Sequence, residues 1–240
     1  MKQRLDQLLV ERGLAESREK AQALILAGQV TVNGQKSAKP GHSIPADASI
    51  ELLEKMPYVS RGGFKLAAAL DHFAIPVQGI RAIDVGSSTG GFTDCLLQRG
   101  AAEVYAIDVG HGQLDWKLRN DPRVILHEQV NARFLTGELV SEPIELAVCD
   151  VSFISVTLIL PVLPDLLAQN AEMVILVKPQ FELERGQVPK GGVIRDPGLH
   201  RQACLRVEEA VRRLGFRTET IPSPILGAEG NQEFLLYARH

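Results

Sequence analysis

Ile83-Asp84-Val85-Gly86-Ser87-Ser88-Thr89-Gly90-Gly91-Phe92-Thr93-Asp94 decides the fold. A short apolar run ends in a glycine-rich turn and passes straight into an amphipathic segment carrying Phe92, Cys95, Leu96 and Leu97, the pattern of strand, tight turn and helix. Glycine in such a turn lets the backbone approach a ligand closely. The first helical turn then offers unpaired N–H groups to a carboxylate or a phosphate.

Outward from this turn, apolar and amphipathic segments alternate. A helix is expected over 64–73, strands near 81–86, 103–108, 123–127, 145–150 and 172–178, and helices near 91–99, 112–119, 155–168 and 197–214. This alternation predicts an α/β fold with a doubly wound, mostly parallel sheet. Segments 216–221 and 233–239 are strands with no helix between them, so the last strand is expected to run antiparallel and to complete seven strands. Asp108 closes the second strand, roughly 20 residues past the glycine turn, where an acid can bind a ribose diol. The competing role for Asp108 is a cap on the helix near Gly112. Asn131, just after the third strand, is either a contact to a nucleobase or a plain loop residue.

Composition sets outer bounds. The chain has 240 residues, 45% of them hydrophobic, enough for one large domain and a small appendage. With 26 basic and 29 acidic residues and a net charge of −3, any basic surface must be local. Cys95, Cys149 and Cys204 lack metal-ligand spacing and read as buried thiols of a reducing cytoplasm. Residues 1–6 carry no apolar targeting segment. The apolar stretch 146–168 is long enough to span a bilayer, but Asp150, Pro161, Pro164 and Asp165 interrupt it. A central strand followed by a core helix is expected there, and no membrane contact.

Ahead of the sheet lies a small module. Leu5, Leu8 and Leu9 before Gly13 predict a helix over 3–13; Ser17 is the expected N-cap of a second helix carrying Ala21, Leu24 and Ile25 and ending at Gly28. Residues 30–36 form an expected hairpin at Asn33-Gly34, and 49–52 a last strand. Arg4, Arg12, Arg18, Lys20, Lys36 and Lys39 lie on or beside these elements, with Asp6, Glu11, Glu16 and Glu19 offsetting much of the charge. The order Leu5-Asp6-x-Leu8-Leu9, Ser17-Arg18-x-Lys20-Ala21, Ala27-Gly28-x-Val30-x-Val32-Asn33-Gly34 resembles the RNA-binding domain named after ribosomal protein S4. The resemblance covers 1–55 and implies docking on structured RNA through phosphates and shape. The stretch 56–63 holds a proline and a glycine pair, giving expected boundaries at 1–57, a linker at 58–63 and a second domain at 64–240.

The turn itself admits three readings. Gly86-Ser87-Ser88-Thr89-Gly90 matches the serine-hydrolase elbow, with Ser88 as nucleophile, although it follows the first strand of its module and no acid–histidine pair stands out among His111, His127, His200 and His240. A nicotinamide oxidoreductase is disfavoured by irregular glycine spacing. A methyltransferase using S-adenosylmethionine would place Asp84, the turn and Asp108 around an amino-acid tail and adenosine. The later strand ends bear on the choice. Asp150 ends the fourth strand, Lys178 the fifth, and Glu233 begins the antiparallel last one, so all three are expected at one sheet edge, within reach of Lys65 on the preceding helix. Taken singly, each is equally a cap, a solvated strand end or half of a plain ion pair.

Together with Ser60-Arg61-Gly62-Gly63-Phe64-Lys65-Leu66, Asp108-Val109-Gly110-x-Gly112-Gln113-Leu114 and Cys149-Asp150-Val151-Ser152-Phe153-Ile154-Ser155, these residues resemble the TlyA or haemolysin-A family of ribosomal RNA 2′-O-methyltransferases. The catalytic domain of that family is similar to the FtsJ type. The resemblance implies a Rossmann-like class I methyltransferase fold and methyl transfer from S-adenosyl-L-methionine to a ribose 2′-hydroxyl of ribosomal RNA, with no metal. It assigns catalysis to Lys65, Asp150, Lys178 and Glu233. The cofactor is assigned to Asp84, Gly86, Ser88, Gly90, Gly91, Phe92, Asp108, Asn131 and Asp150, and RNA contact to Arg4, Arg12, Arg18, Lys20, Lys36 and Arg61. Within it Lys178 is the group expected at the acceptor hydroxyl. The family's label also raises a cytolytic, membrane-active alternative, which the sequence supports with no strongly basic amphipathic segment.

Overall fold

The computed structural model describes residues 2–37, 39–53, 56–227 and 229–240. The chain divides into two compact units, Met1–Pro57 and Tyr58–His240.

In the first unit, β1 (Lys2–Arg4) leads into α1 (Leu5–Glu11), and α2 (Arg18–Leu26) follows. The expected first helix is thus shortened at its start, because residues 2–4 pair with β4 instead. The Ser17 hydroxyl accepts from the Lys20 backbone N–H at 3.3 Å, the N-cap that starts α2. β2 (Val30–Val32) and β3 (Gln35–Lys36) meet at Asn33 and Gly34, whose φ of 49° and 78° suit a type I′ turn. β4 (Ser43–Pro45) pairs antiparallel with β1, and β5 (Ile50–Leu52) with β2. Leu5, Leu8 and Leu9 of α1 pack with Ala21 and Ile25 of α2, Val30 and Ile44 as one small core.

The second unit runs α3 (Gly62–His72), β6 (Arg81–Val85), α4 (Gly91–Gln98), β7 (Glu103–Ile107), α5 (Trp116–Arg119) and β8 (Val124–His127). It continues through β9 (Ile144–Cys149), β10 (Leu167–Val177), α6 (Pro179–Glu182), α7 (Pro197–Arg213), β11 (Arg217–Pro222) and β12 (Phe234–Arg239). Its seven strands form one sheet in the order β11-β12-β10-β9-β6-β7-β8. β12 is antiparallel to both neighbours and the remaining pairings are parallel, as the sequence predicts. Side-chain alternation feeds two cores. Ile83 and Val85 pack with Leu163 and with Val207 and Val211 of α7; Ala82, Val104 and Val148 pack with Leu66 and Leu70 of α3 and Leu96 of α4. Central strands covered on both faces carry apolar side chains on each.

Two expected helices are corrected. Residues 155–168 form three successive 3-10 turns rather than a core helix. Pro161 and Pro164 have no N–H for bonds back to residues 157 and 160, which removes the α-helical ladder. β10 then starts at Leu167, earlier than expected. The helix near 112–119 is reduced to α5, because Asp115 caps it by accepting from the Lys117 backbone N–H at 2.9 Å. The stretch 58–63, expected as a linker, makes contacts within the second unit. The Val59 N–H donates to Asp94 at 2.9 Å, and the Tyr58 ring lies where a Cβ on Gly63 would be.

Candidate active site

The β6–α4 turn is shaped by close approach. Gly86 has φ of +88°, and a Cβ there would meet the Asp150 carbonyl oxygen at 2.5 Å. A Cβ on Gly91 would meet the Gly63 nitrogen at 3.0 Å. Gly90 is the left-handed N-cap of α4. Ser88 also has positive φ, 47°. Its N–H donates to Asp108 Oδ2 at 2.8 Å and its hydroxyl to Gln113 Oε1 at 3.2 Å. Asp108 additionally accepts from the Gly110 N–H at 2.6 Å, so it caps this turn rather than a helix and keeps further lone pairs free. Serine at positive φ is what an elbow requires. The side chain beside its hydroxyl is nevertheless Gln113, while His111 pairs with Glu128 at 3.0 Å.

Asp84 borders neither of the two cavities beside the turn. It is fully buried and accepts from the Thr93 hydroxyl at 2.6 Å, which ties β6 to α4, while its Oδ1 has no hydrogen-bond partner among the described residues. Burial pushes its carboxyl up to about 7 against the Thr93 bond, with the charges of Asp150 and Asp108 adding to the rise. The unfolded value is about 3.9. A raised folded value means that the associated stability is present below the unfolded value and is lost as pH rises through about 7. Asp84→Asn, which still accepts from Thr93, is expected to melt like wild type near pH 4 and above it at pH 8. Parallel melting curves across that range would contradict this account of Asp84.

Two lobes of one trench flank the turn. One, of about 480 Å³, is lined by Ile107, Asp108, Val130, Asn131, Ile154 and Ile159 among others. Asn131 there also caps a short turn by accepting from the Arg133 N–H at 3.1 Å. The other lobe, of about 510 Å³, is lined by Arg61, Lys65, Phe92, Asp150, Lys178 and Glu233, with Gly91 and residues 86–89. Gly86, Ser88, Asp150, Ser152 and Phe153 border both.

Strand geometry assembles the charged set. Phe234 pairs with Val177 across β12 and β10, which puts the adjoining Glu233 and Lys178 side by side at the sheet edge. Asp150 follows β9 directly, its N–H donating to the Val85 carbonyl at 3.0 Å. The four form two ion pairs, Lys65 to Glu233 at 2.5 Å and Lys178 to Asp150 at 2.5 Å. Lys65, Lys178 and Glu233 are nearly buried. Lys178 Nζ also donates to the Ser152 hydroxyl at 2.7 Å. The sequence places Ser152 and Phe153 in a family-like motif but assigns neither a role in the site. Phe153 is 88% exposed with φ of +69° and stands 5.5 Å, centroid to centroid, from Phe181. Its composition carries no sign of that backbone state, so only the fold exposes it.

The basic residues singled out in the first unit differ in what they touch. Arg12 donates to the carbonyls of Ala48 and Ala46 at 2.8 and 2.6 Å, and Lys20 pairs with Glu16. Arg4 and Arg18 both bond Asp6, and Lys36 is exposed on β3. Arg61 belongs to the second unit, at the mouth of the charged lobe.

Residues 58–240 match the FtsJ-like methyltransferase family, and residues 3–49 match the S4 domain. A Mycobacterium tuberculosis protein named 16S/23S rRNA (cytidine-2′-O)-methyltransferase TlyA is 46% identical over 98% of this chain and 89% of its own. Hemolysin A of Brachyspira hyodysenteriae is 47% identical over 98% of both chains. A solved structure from Streptococcus thermophilus superposes with a TM-score of 0.76 at 44% identity, over 99% of this chain and 88% of that one. The chain therefore belongs to the TlyA, or haemolysin A, family of FtsJ-like methyltransferases.

Proposed function

We propose that this protein transfers a methyl group from S-adenosylmethionine to a ribose 2′-hydroxyl of ribosomal RNA in the cytoplasm, in the trench beside the β6–α4 turn. The observation that carries this reading is the pair of ion pairs, Lys65–Glu233 and Lys178–Asp150, in a lobe that adjoins a second, more apolar one. The residues present suit the cofactor. Asp108 has lone pairs left for a ribose diol, Ile107, Val130 and Ile159 offer walls for adenine, and Gly86, without a Cβ, leaves the turn close to Asp150. Asp84, beneath the turn, supports its shape rather than touching the ligand. S-adenosylmethionine supplies an activated methyl group on a sulfonium, so the chain's own work is to position the acceptor oxygen and favour its deprotonation.

Lys178 is placed for that work. Its ammonium, held between Asp150 and Ser152, faces the acceptor oxygen and stabilises negative charge as the proton leaves. The Asp150 carboxylate, 2.5 Å from Nζ, is the proton's nearest destination. The Lys65–Glu233 pair, almost free of solvent, holds α3 against the start of β12 and fixes the far wall. Exposed Phe153, beside Phe181, is a stacking surface for the acceptor base, which is worth about 1–3 kcal/mol per base. The S4 unit docks the enzyme on ribosomal RNA.

Incubation with methyl-labelled S-adenosylmethionine and purified ribosomal subunits is expected to label RNA. Phe153→Ala should lower kcat/KM for RNA by about 10- to 100-fold. The positive φ of Ser88 keeps the hydrolase reading in contention; covalent labelling of Ser88 by a fluorophosphonate, with no methyl transfer to RNA, would favour it. The membrane-active reading meets no support in the fold: among the described residues no helix is long and apolar enough to cross a membrane.

A further inference from the structure

One carboxylate of the first unit is fully buried and shared by two guanidinium groups. Asp6, in the first turn of α1, has no exposed surface. Its Oδ2 accepts from Arg4 at 2.9 Å, Arg18 Nε at 3.0 Å and Gln22 at 3.0 Å. Its Oδ1 accepts from Arg4 Nε and from the Gln7 backbone N–H, each at 3.0 Å. The Arg4 bonds hold the carboxyl far below the usual carboxylate range, with Gln22 and Arg18 adding and desolvation opposing. A buried carboxylate is tolerated only when bonded so fully.

The cluster carries one positive charge in excess, two guanidinium groups against one carboxylate. The Arg4 and Arg18 side chains are 43% and 47% exposed. Arg18 uses only Nε on Asp6, and among the described residues its two terminal nitrogens bond nothing. Arg4 keeps one terminal nitrogen without a bond among the described residues, beside Gly41. Because both side chains reach the same oxygen, two like charges stand next to each other in fixed orientation. Arg12 offers no such edge, its terminal nitrogens being taken by the carbonyls of Ala46 and Ala48.

We propose that Asp6 is a positioning residue that sets Arg4 and Arg18 as a fork for a phosphate of the RNA backbone. This rests on the reading that the first unit docks ribosomal RNA. A phosphodiester brings the missing negative charge and oxygens that match the planar edge of Arg18. Side-chain ordering has already occurred on folding, so binding loses little conformational freedom. Asp6 itself touches no RNA; it acts through the arginines.

The test is equilibrium binding of the full-length protein to purified ribosomal subunits over a range of KCl concentrations, with S-adenosylmethionine affinity as a check on the second unit. Arg18→Ala is expected to weaken binding by about tenfold at low salt and to lower the slope of log K against log[salt] by about 1, the signature of a lost phosphate contact. Arg18→Lys, with charge but no fork, should recover only part. Asp6→Asn should act in the same direction, and adding Asp6→Asn to the Arg4→Ala/Arg18→Ala double variant should weaken binding no further, because Asp6 acts only through those two side chains. Should Asp6→Asn fail to fold, Arg18→Ala and Arg18→Lys, which alter a half-exposed side chain, carry the test. Unchanged affinity and slope in the Arg18 variants overturn the fork if Lys20→Ala or Lys36→Ala weakens binding. If those do not weaken it either, the RNA-docking reading of the first unit falls as well.

Discussion

Lys178→Ala is expected to slow methyl transfer by about 100- to 1,000-fold, the usual loss on removing one group that stabilises a developing oxyanion. Affinity for S-adenosylmethionine should change little by comparison, because Lys178 lies in the charged lobe and does not border the one containing Asp108 and Asn131. The split between rate and affinity separates this role from a structural one. Lys178→Arg keeps a charge beside Asp150 but replaces a compact ammonium by a planar fork, so partial activity is expected. Single-turnover rates with ribosomal subunits, set beside calorimetric cofactor binding, check both variants. Near wild-type rates in Lys178→Ala would remove this residue from the reaction.

The second large effect is at Gly86. Gly86→Ala adds a Cβ that meets the Asp150 carbonyl at 2.5 Å, on a backbone with φ of +88°. The φ cost alone is about 1 kcal/mol, and the clash with backbone cannot be relieved by a rotamer change. A loss of about 3–5 kcal/mol would lower the melting temperature by about 10 °C and move the turn off the cofactor. Gly79 is the control. It has φ of +79°, but nothing lies within 4 Å of an added Cβ, so Gly79→Ala should cost only the conformational part. Equal shifts in the two variants would show that the contact with Asp150 contributes nothing.

Much of the larger unit was legible because parallel strands announce themselves. Ile83, Val85, Val104 and Val148 sit in apolar runs bounded by turn signals, and those runs became β6, β7 and β9 in the expected order. The missed helix at 155–168 has a physical cause. Its apolar content suits a core element of either kind, but Pro161 and Pro164 deny it the donors an α-helix needs. The four charges were legible as positions at one edge, and their assignment to catalysis came from family resemblance rather than from spacing. Their pairing was not legible. Only the pairing of Val177 with Phe234 brings Glu233 beside Lys178, and only the placement of α3 brings Lys65 to Glu233. Asp6 was read as an acid offsetting surface charge, whereas it is buried; a single carboxylate in a run of mixed charge gives no sign of where the chain will bury it.

The central claim is that a ribose 2′-hydroxyl, and not a base, receives the methyl group. Alkali cleaves RNA through attack of the 2′-oxygen on the adjoining phosphate, and a methylated 2′-oxygen cannot attack. After reaction of ribosomal subunits with methyl-labelled S-adenosylmethionine, complete alkaline hydrolysis of the RNA should leave the label in alkali-resistant dinucleotides. Label recovered in mononucleotides, or no label in RNA at all, would contradict the account.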